Sequence, residues 1–233
     1  MSPTPRLRAG SDARQARAER ILDVTAELLL AHGYRKVTVD DVARHAGIGK
    51  GTIYLHWRTR EALLWAVLQR ETTRLLGVLV DRLSDDAELA LPHRLMSAIF
   101  LEVAHRPLVK ALLLADPEVL GALAADEAVA AAQRELAGNE NYFELVRAQG
   151  LLRSDVGVEQ AGYLLESVIR GFFASADGPD VERSAELLAY VLRRTVEPDE
   201  PAPATAVRAL NAAVADLFRA LAATLRPEVA GTP

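Results

Sequence analysis

Cysteine is missing from the 233-residue chain. Its absence excludes disulfide frameworks, thiol nucleophiles, iron–sulfur clusters and thiolate zinc sites, and it fits a reducing compartment. Aromatic residues make up only 5%, which disfavours a pocket built to stack planar ligands and favours an aliphatic one. Long apolar runs are absent: stretches such as 111–115 fall far short of the roughly 18–20 residues a bilayer requires. No apolar segment follows Met1-Ser2-Pro3-Thr4-Pro5-Arg6, so the N-terminus does not read as a secretory signal, and we expect a cytoplasmic protein with no membrane partner. The histidines, His32, His45, His56, His93 and His105, show no metal-ligand spacing. There is also no Gly-x-Ser-x-Gly, phosphate-binding loop or dinucleotide fingerprint. The acid pairs Asp40-Asp41 and Asp85-Asp86 fall at helix starts or loops, where capping and solvation explain them. Neither a catalytic residue, a metal nor a cofactor is expected, and the chain does not read as an enzyme.

What is present is helical. Half the residues are apolar and a quarter charged, mean hydropathy is near zero, and sustained β-branched alternation occurs nowhere. Residues 1–13 read as a flexible arm. Ile21, Leu22, Thr25 by its methyl, Leu28 and Leu29 then recur at helical spacing over 14–31, and Gly33 follows as a stop. Thr38 and Asp41 are placed to form a capping box for a helix with inner positions Val39, Val42, Ala43 and Ala46. A short helix over 50–57 and a long one from the Thr59 cap to about residue 83 follow. Beyond residue 84 an Ala/Leu-rich region predicts helices at 92–105, 107–115, 117–125, 127–149, 158–175, 181–196 and 205–226. Punctuation comes from Gly138, from Asp177-Gly178-Pro179 and from a three-proline linker over 197–203.

Charge is uneven. Residues 1–60 carry eleven Lys and Arg against six Asp and Glu, a balance of +5, whereas the remainder stands at −10. A basic front on an acidic body suggests that only the front meets a polyanion, although a solvated basic face would look the same.

Val42 to Tyr54 has helix-turn-helix spacing. Ala43 is small where two helices cross, Gly47 four residues on tolerates the left-handed turn, and Ile53 six further faces inward. Lys50, Gly51, Thr52, Tyr54, Leu55 and His56 are left for the exposed face and leading end of a recognition helix. The run Gly47-Ile48-Gly49-Lys50-Gly51-Thr52-Ile53-Tyr54-Leu55-His56-Trp57-Arg58-Thr59-Arg60-Glu61-Ala62-Leu63, with Ala26 to Tyr34 before it, resembles the signature of the TetR family of bacterial transcriptional repressors over about 14–65.

The resemblance implies an all-α protein: a three-helix helix-turn-helix domain over 14–60, a helical ligand-binding and dimerisation domain over 61–196, and a linker with an additional C-terminal helix over 197–233. It implies a homodimer that binds palindromic double-stranded operator DNA and is released by a small-molecule effector, taken here as apolar. Its alternatives are an activator or a helical ligand-binding dimer without a repressor role. Carried onto this chain, Lys50, Gly51 and Thr52 would meet bases and nearby phosphates, with Tyr54 and His56 on the sugar-phosphate backbone and Arg60 clamping a phosphate. Thr38 would bind phosphate at a helix N-terminus or simply cap it. Arg44 fits a phosphate contact or a solvated charge, Trp57 fits packing, and Arg6, Arg8 and Arg14 could reach the minor groove. An effector pocket over 84–175 would draw on Phe100, Tyr142, Phe143 and Tyr163, with His105 or Arg170 as polar anchors, each of which also fits core packing or a surface ion pair. Dimerisation is expected on 158–175 and 181–196.

Overall fold

A computed structural model describes residues 5–137, 139–174 and 180–225, with side chains for 13–134, 141–174 and 180–225. The side chains of Arg6 and Arg8, together with Gly138, Asp177-Gly178-Pro179 and Arg226, lie outside these. All elements among the described residues are helical. None of these helices is long and apolar enough to cross a membrane.

α1 (Pro5–His32) begins well before the expected residue 14, inside the segment read as an arm. Proline is tolerated in a first helical turn, and the Ala- and Arg-rich stretch that follows has good helix propensity. Its apolar stripe is buried as the spacing predicts, from Ile21 to Leu29. The Thr25 hydroxyl donates to the Ile21 carbonyl at 2.6 Å, which satisfies a polar group in the core. α2 (Val39–Ala46) and α3 (Lys50–Tyr54) follow a single 3-10 turn over Tyr34–Lys36. Val39, Val42, Ala43 and Ala46 are buried as expected, and Gly47 ends α2 at φ 67°, ψ 35°. The Ile48 amide reaches back to the Ala43 carbonyl at 3.0 Å, the six-to-one bond of a left-handed helix stop.

α4 (Arg60–Asp85) starts at a Thr59 cap and joins two cores. Its first turns place Leu63, Leu64, Val67 and Leu68 in the N-terminal core; Leu75, Leu76, Leu79 and Leu83 lie in the core of the body. Between them Arg70 is buried, with only 7% of its side chain exposed. Its guanidinium donates to Asp23 at 2.8 Å, Glu71 at 2.8 Å and the Glu19 carbonyl at 3.2 Å. This clasps α1 to α4. Arg70→Ala is expected to cost about 2 kcal/mol, roughly 4–8 °C of melting temperature, because a buried charged hydrogen-bond network is broken while its carboxylates regain water. An unchanged melt would show the clasp to be inert.

The body comprises α5 (Pro92–Ala104), α6 (Pro107–Leu114), α7 (Pro117–Leu120), a 3-10 turn Gly121–Ala125, α8 (Glu127–Ala137), α9 (Asn139–Ala148), α10 (Val158–Ala174), α11 (Val181–Thr195) and α12 (Ala204–Thr224). Proline opens α5, α6 and α7 at positions where its missing amide costs nothing. Where one helix was expected over 127–149, two are described, on either side of residue 138. α11 packs on α5, and α12 lies along α4 and touches α9.

Two findings bear on the organisation. Beyond the linker over 197–203, α12 packs on the body of its own subunit; the sequence left this open, with cover of a dimer seam as the other possibility. Glu197 is buried and accepts from the His93 amide at 2.7 Å, and α12 buries Val207, Leu210, Val214 and Phe218 in its own subunit. The two cores are also not divided at residue 60: Leu108, Leu112, Leu120, Leu123 and Val129 of the body belong to the N-terminal core.

Candidate nucleic-acid interface

The second and third helices owe their geometry to local chemistry. The Thr38 hydroxyl donates to the Asp41 carboxylate at 2.6 Å and accepts from the Asp41 amide at 3.2 Å, while the Thr38 amide donates back to the same carboxylate at 3.3 Å. Aspartate thus performs the reciprocal cap usually made by glutamate. The Thr38 hydroxyl bond above all, helped by the Thr38 amide and the charges of Arg44 and His45, holds the Asp41 carboxyl below its ordinary range against the opposing effect of burial. The Thr38 hydroxyl is therefore occupied by its own helix.

α3 is anchored by Ile53, which is fully buried. Around it Lys50, Gly51, Tyr54 and Leu55 face outward and Thr52 is half-buried. The Lys50 ammonium pairs with Asp40, and Arg44 pairs with Asp41 at 2.6 Å, so cations and carboxylates alternate along this face. A side chain added at Gly51 would meet nothing within 4 Å. No internal contact therefore requires a glycine here, and glycine inside a helix costs roughly 0.5–1 kcal/mol relative to alanine.

Two expected DNA contacts are placed elsewhere. α3 stops at Tyr54 instead of running to residue 57, so His56 does not stack one turn beyond Thr52 on the outer face. The chain turns through Leu55, and His56 goes inward at 3% exposure beside Trp57, the ring centroids 5.3 Å apart. Leu55, 68% exposed, takes the outward place. Trp57 is buried as packing required. Among the described residues neither His56 Nδ1 nor Trp57 Nε1 has a hydrogen-bond partner.

Arg60 is engaged within its own domain. Its Nε donates to the Val37 carbonyl at 2.7 Å, Nη2 donates to the Tyr34 carbonyl, and the guanidinium lies 4.2 Å from the centroid of the Tyr34 ring. The cation that the resemblance offers to a phosphate staples the turn before α2. Arg35, Lys36 and Arg58 are further exposed basic residues on the flanking turns, and charge is their only signal in the sequence.

Burial lowers the His56 pKa, and the nearby charges of Arg14 and Arg17 lower it further. The unfolded chain takes up that proton near pH 6.5, whereas the folded protein does so only at lower pH, so the unfolded state binds more protons in between. Stability is therefore fully present above about pH 6.5 and falls as pH drops from there through the folded value. His56→Gln should flatten this acid limb in melts compared at about pH 7.5 and about pH 5.5; an unchanged slope would assign it to other groups.

The effector candidates do not converge. Phe100, Tyr142 and Phe143 are core residues: Phe100 stacks on Phe173 at 4.5 Å, and the Tyr142 hydroxyl donates to the Ala90 carbonyl at 2.9 Å. Burial, reinforced by Glu197, pushes the Tyr142 pKa well up. Tyr163 is 75% exposed, Arg170 pairs with Glu166 at 2.9 Å on the surface, and exposed His105 bonds the Leu101 carbonyl through Nδ1 at 2.8 Å. Helical periodicity could not tell the two faces of α10 apart, because both are apolar. Two clefts of about 410 and 440 Å³ meet at His93 and Ala189, one reaching Arg82 and Arg94, the other Tyr190 and Arg194. None of the six candidates lines either.

A glycine-stopped helix, a five-residue helix with an exposed polar face and a helical body on one continuous α4 define an all-α protein with an N-terminal helix-turn-helix. Residues 21–67 match the family profile of bacterial regulatory proteins, tetR family. The chain is 36% identical over 81 residues to the HTH-type transcriptional repressor KstR of Mycolicibacterium smegmatis, covering 35% of this chain and 37% of that protein. It is 29% identical over 140 residues to the HTH-type transcriptional regulator AlkX of Mycobacterium tuberculosis, covering 55% and 63%. The matched stretches thus span about a third to just under two thirds of these relatives. The fold aligns with SmeT in its triclosan complex at TM-score 0.61 and 21% identity, covering 81% of this chain and 99% of that one. It aligns with the fatty acid degradation regulator FadR of Bacillus halodurans at 0.57 and 18%, covering 75% and 96%. Residues 21–67 thus carry the helix-turn-helix of the tetR family of bacterial regulatory proteins, and the helical fold is that of SmeT and FadR.

Proposed function

We propose that the chain is a TetR-family transcriptional regulator: a cytoplasmic homodimeric repressor, reading an inverted-repeat operator through α3 and released by a small apolar effector held in the body. The observation that carries the reading is the α3 face: Lys50, Gly51 and Tyr54 point outward from an Ile53 anchor, and Gly51 gives up helix stability with no internal neighbour to require it. A bare backbone there lets a duplex approach closely, with Lys50 able to reach a guanine edge or a phosphate. Exposed Tyr54, Lys36 and Arg58 supply backbone contacts, and Thr38 contributes its position at the α2 N-terminus more than its hydroxyl.

Dimerisation is assigned to α10 and α11. α10 buries only Val158, Ala161 and Leu165 of its seventeen residues, although it is apolar overall. Tyr163 and Tyr190 stand exposed on the two helices. An apolar effector is supported by the composition of the body and by the triclosan complex of the structural neighbour SmeT.

Gly51→Ala separates fold from function because its two effects have opposite signs. The melting temperature should rise by a few degrees, in keeping with about 0.5–1 kcal/mol, while affinity for a selected operator falls by at least roughly tenfold. Lys50→Ala should reduce the preference for operator over scrambled duplex, read by fluorescence anisotropy across a salt series. Operator affinity unchanged in both variants would remove α3 as the reading element.

A further inference from the structure

Gly121 sits where the body meets the DNA-binding unit. It follows α7, its φ is +52°, and its amide donates to the Pro117 carbonyl. A Cβ built on it would lie 2.1 Å from Cδ1, 2.5 Å from Cγ and 2.8 Å from Cε1 of Tyr34. The ring therefore rests directly on the Gly121 backbone, with no space for even a methyl group. The preceding Gly33 approaches the Glu118 carbonyl of the same turn, where an added Cβ would be at 3.7 Å. Leu120 and Leu123 flank Gly121 and are buried in the N-terminal core, so the turn is fixed on that side.

Tyr34 is in turn held from α4. The Arg60 guanidinium lies against its ring and donates to the Tyr34 and Val37 carbonyls, and the Tyr34 hydroxyl donates to Glu61 at 3.4 Å. The next residue after Val37 is Thr38, the cap of α2. A displacement of Tyr34 therefore moves the start of α2 and the start of α4 together, and α3 follows α2 through the glycine turn.

We propose that Gly121 and Tyr34 form a seat that fixes the orientation of the helix-turn-helix on the helical body, which makes both of them positioning residues for DNA reading. Glycine is required twice over, for the positive φ and for the absent Cβ. A packed contact of this kind holds one arrangement and does not deform continuously. In a dimer, the angle of each reading unit on its body sets the separation of the two recognition helices, so the seat governs which half-site spacing is accepted. That last consequence rests on the operator reading above; the seat itself does not.

The absence of cysteine makes the test direct. Arg44→Cys on α2 and Arg208→Cys on α12 supply a spin-label pair, and labelled protein is diluted into unlabelled so that each labelled chain reports alone. The otherwise unaltered chain should give one narrow distance distribution. Tyr34→Phe keeps the ring and should reproduce it. Gly121→Ala should shift or broaden it, and so should Tyr34→Leu, which keeps apolar volume but loses the ring. If Gly121→Ala fails to fold by circular dichroism, Tyr34→Leu decides. A purely structural role would lower the melting temperature and leave the distances unmoved; distributions equal to the parent in Gly121→Ala and Tyr34→Leu overturn the proposal. Duplex selection then tests the consequence: variants should accept a wider range of half-site spacings. A parent that recovers no inverted repeat counts against the operator reading, and the distance measurement still decides the seat.

Discussion

Truncation after Pro203 is expected to yield a chain that does not fold. α12 would be lost, and with it the buried side chains of Val207, Leu210, Val214, Phe218 and Leu225. At about 1.5–3 kcal/mol for each large apolar group the loss is roughly 8–15 kcal/mol, an upper estimate, but one that matches the whole stability of an ordinary domain. The removal would also strip cover from α4 and from the 3-10 turn Ala87–Ala90, against which α12 packs. The Asn211 amide, which donates to the carbonyls of Leu83, Asp86 and Ala87 at 3.0–3.3 Å, would no longer satisfy the end of α4. The truncated protein should show no cooperative melt at 25 °C and should aggregate on expression. Leu210→Ala grades the same effect at about 3 kcal/mol. A cooperative transition within a few degrees of the full chain would mean that α12 is an appendage, as its position after a proline-rich segment suggests.

The second large effect is expected at Arg60. Arg60→Ala removes two charge-assisted bonds to backbone carbonyls and the stack on Tyr34, a loss of about 3 kcal/mol. Arg60→Lys should recover little, since one ammonium on a flexible stem cannot reproduce a planar fork that spans two carbonyls. DNA affinity should fall for every duplex alike, because the turn before α2 loosens. The melting temperature separates this account from the phosphate-clamp reading. A clamp on the surface would weaken DNA binding and flatten its salt slope while leaving the free protein as stable as before. That outcome would return Arg60 to the interface.

These two positions also show where the sequence was legible. Faces set by spacing within one helix were readable: the buried stripe of α1, the four inner residues of α2, the Thr38–Asp41 cap and the Gly47 stop all depend on neighbours within about five residues. The architecture followed from the same periodicity and from the proline and glycine punctuation. Contacts between distant segments left no such trace. The phosphate role of Arg60 is implied by the family resemblance, and nothing local in the sequence signals its bonds to Val37 and Tyr34, 23 and 26 residues away. Arg70 was passed over because it closes on Glu19, 51 residues earlier. His56 was misplaced by a single turn, since a helix ending at residue 54 instead of 57 reverses which of Leu55 and His56 faces out. The effector candidates do not converge for a different reason: in an Ala/Leu-rich body an aromatic residue looks the same whether it fills the core, as Phe143 does, or stands exposed, as Tyr163 does.

The two cores interlock. Five body residues in the N-terminal core, the Arg70 clasp and the Gly121 contact mean that the helix-turn-helix does not hang on a flexible joint. Any state of the body that moves α6 to α8 must also move α1 and the start of α4. Under the proposed repressor mechanism, an effector that favours one arrangement of the body then biases the reading units, and linkage requires operator DNA to weaken effector binding by the same factor.

The central claim is that α3 reads a specific duplex, and its most direct test is selection of bound sequences from a random duplex pool with the purified full chain, followed by a salt titration of the winning sequence. The account predicts an inverted repeat whose half-sites lie about one helical turn apart, roughly 34–36 Å, with log affinity falling linearly against log salt at a slope near −0.9 per phosphate contacted. Recovery of no motif, with only weak and sequence-independent binding, would contradict it and leave the basic N-terminal face as a solvated surface.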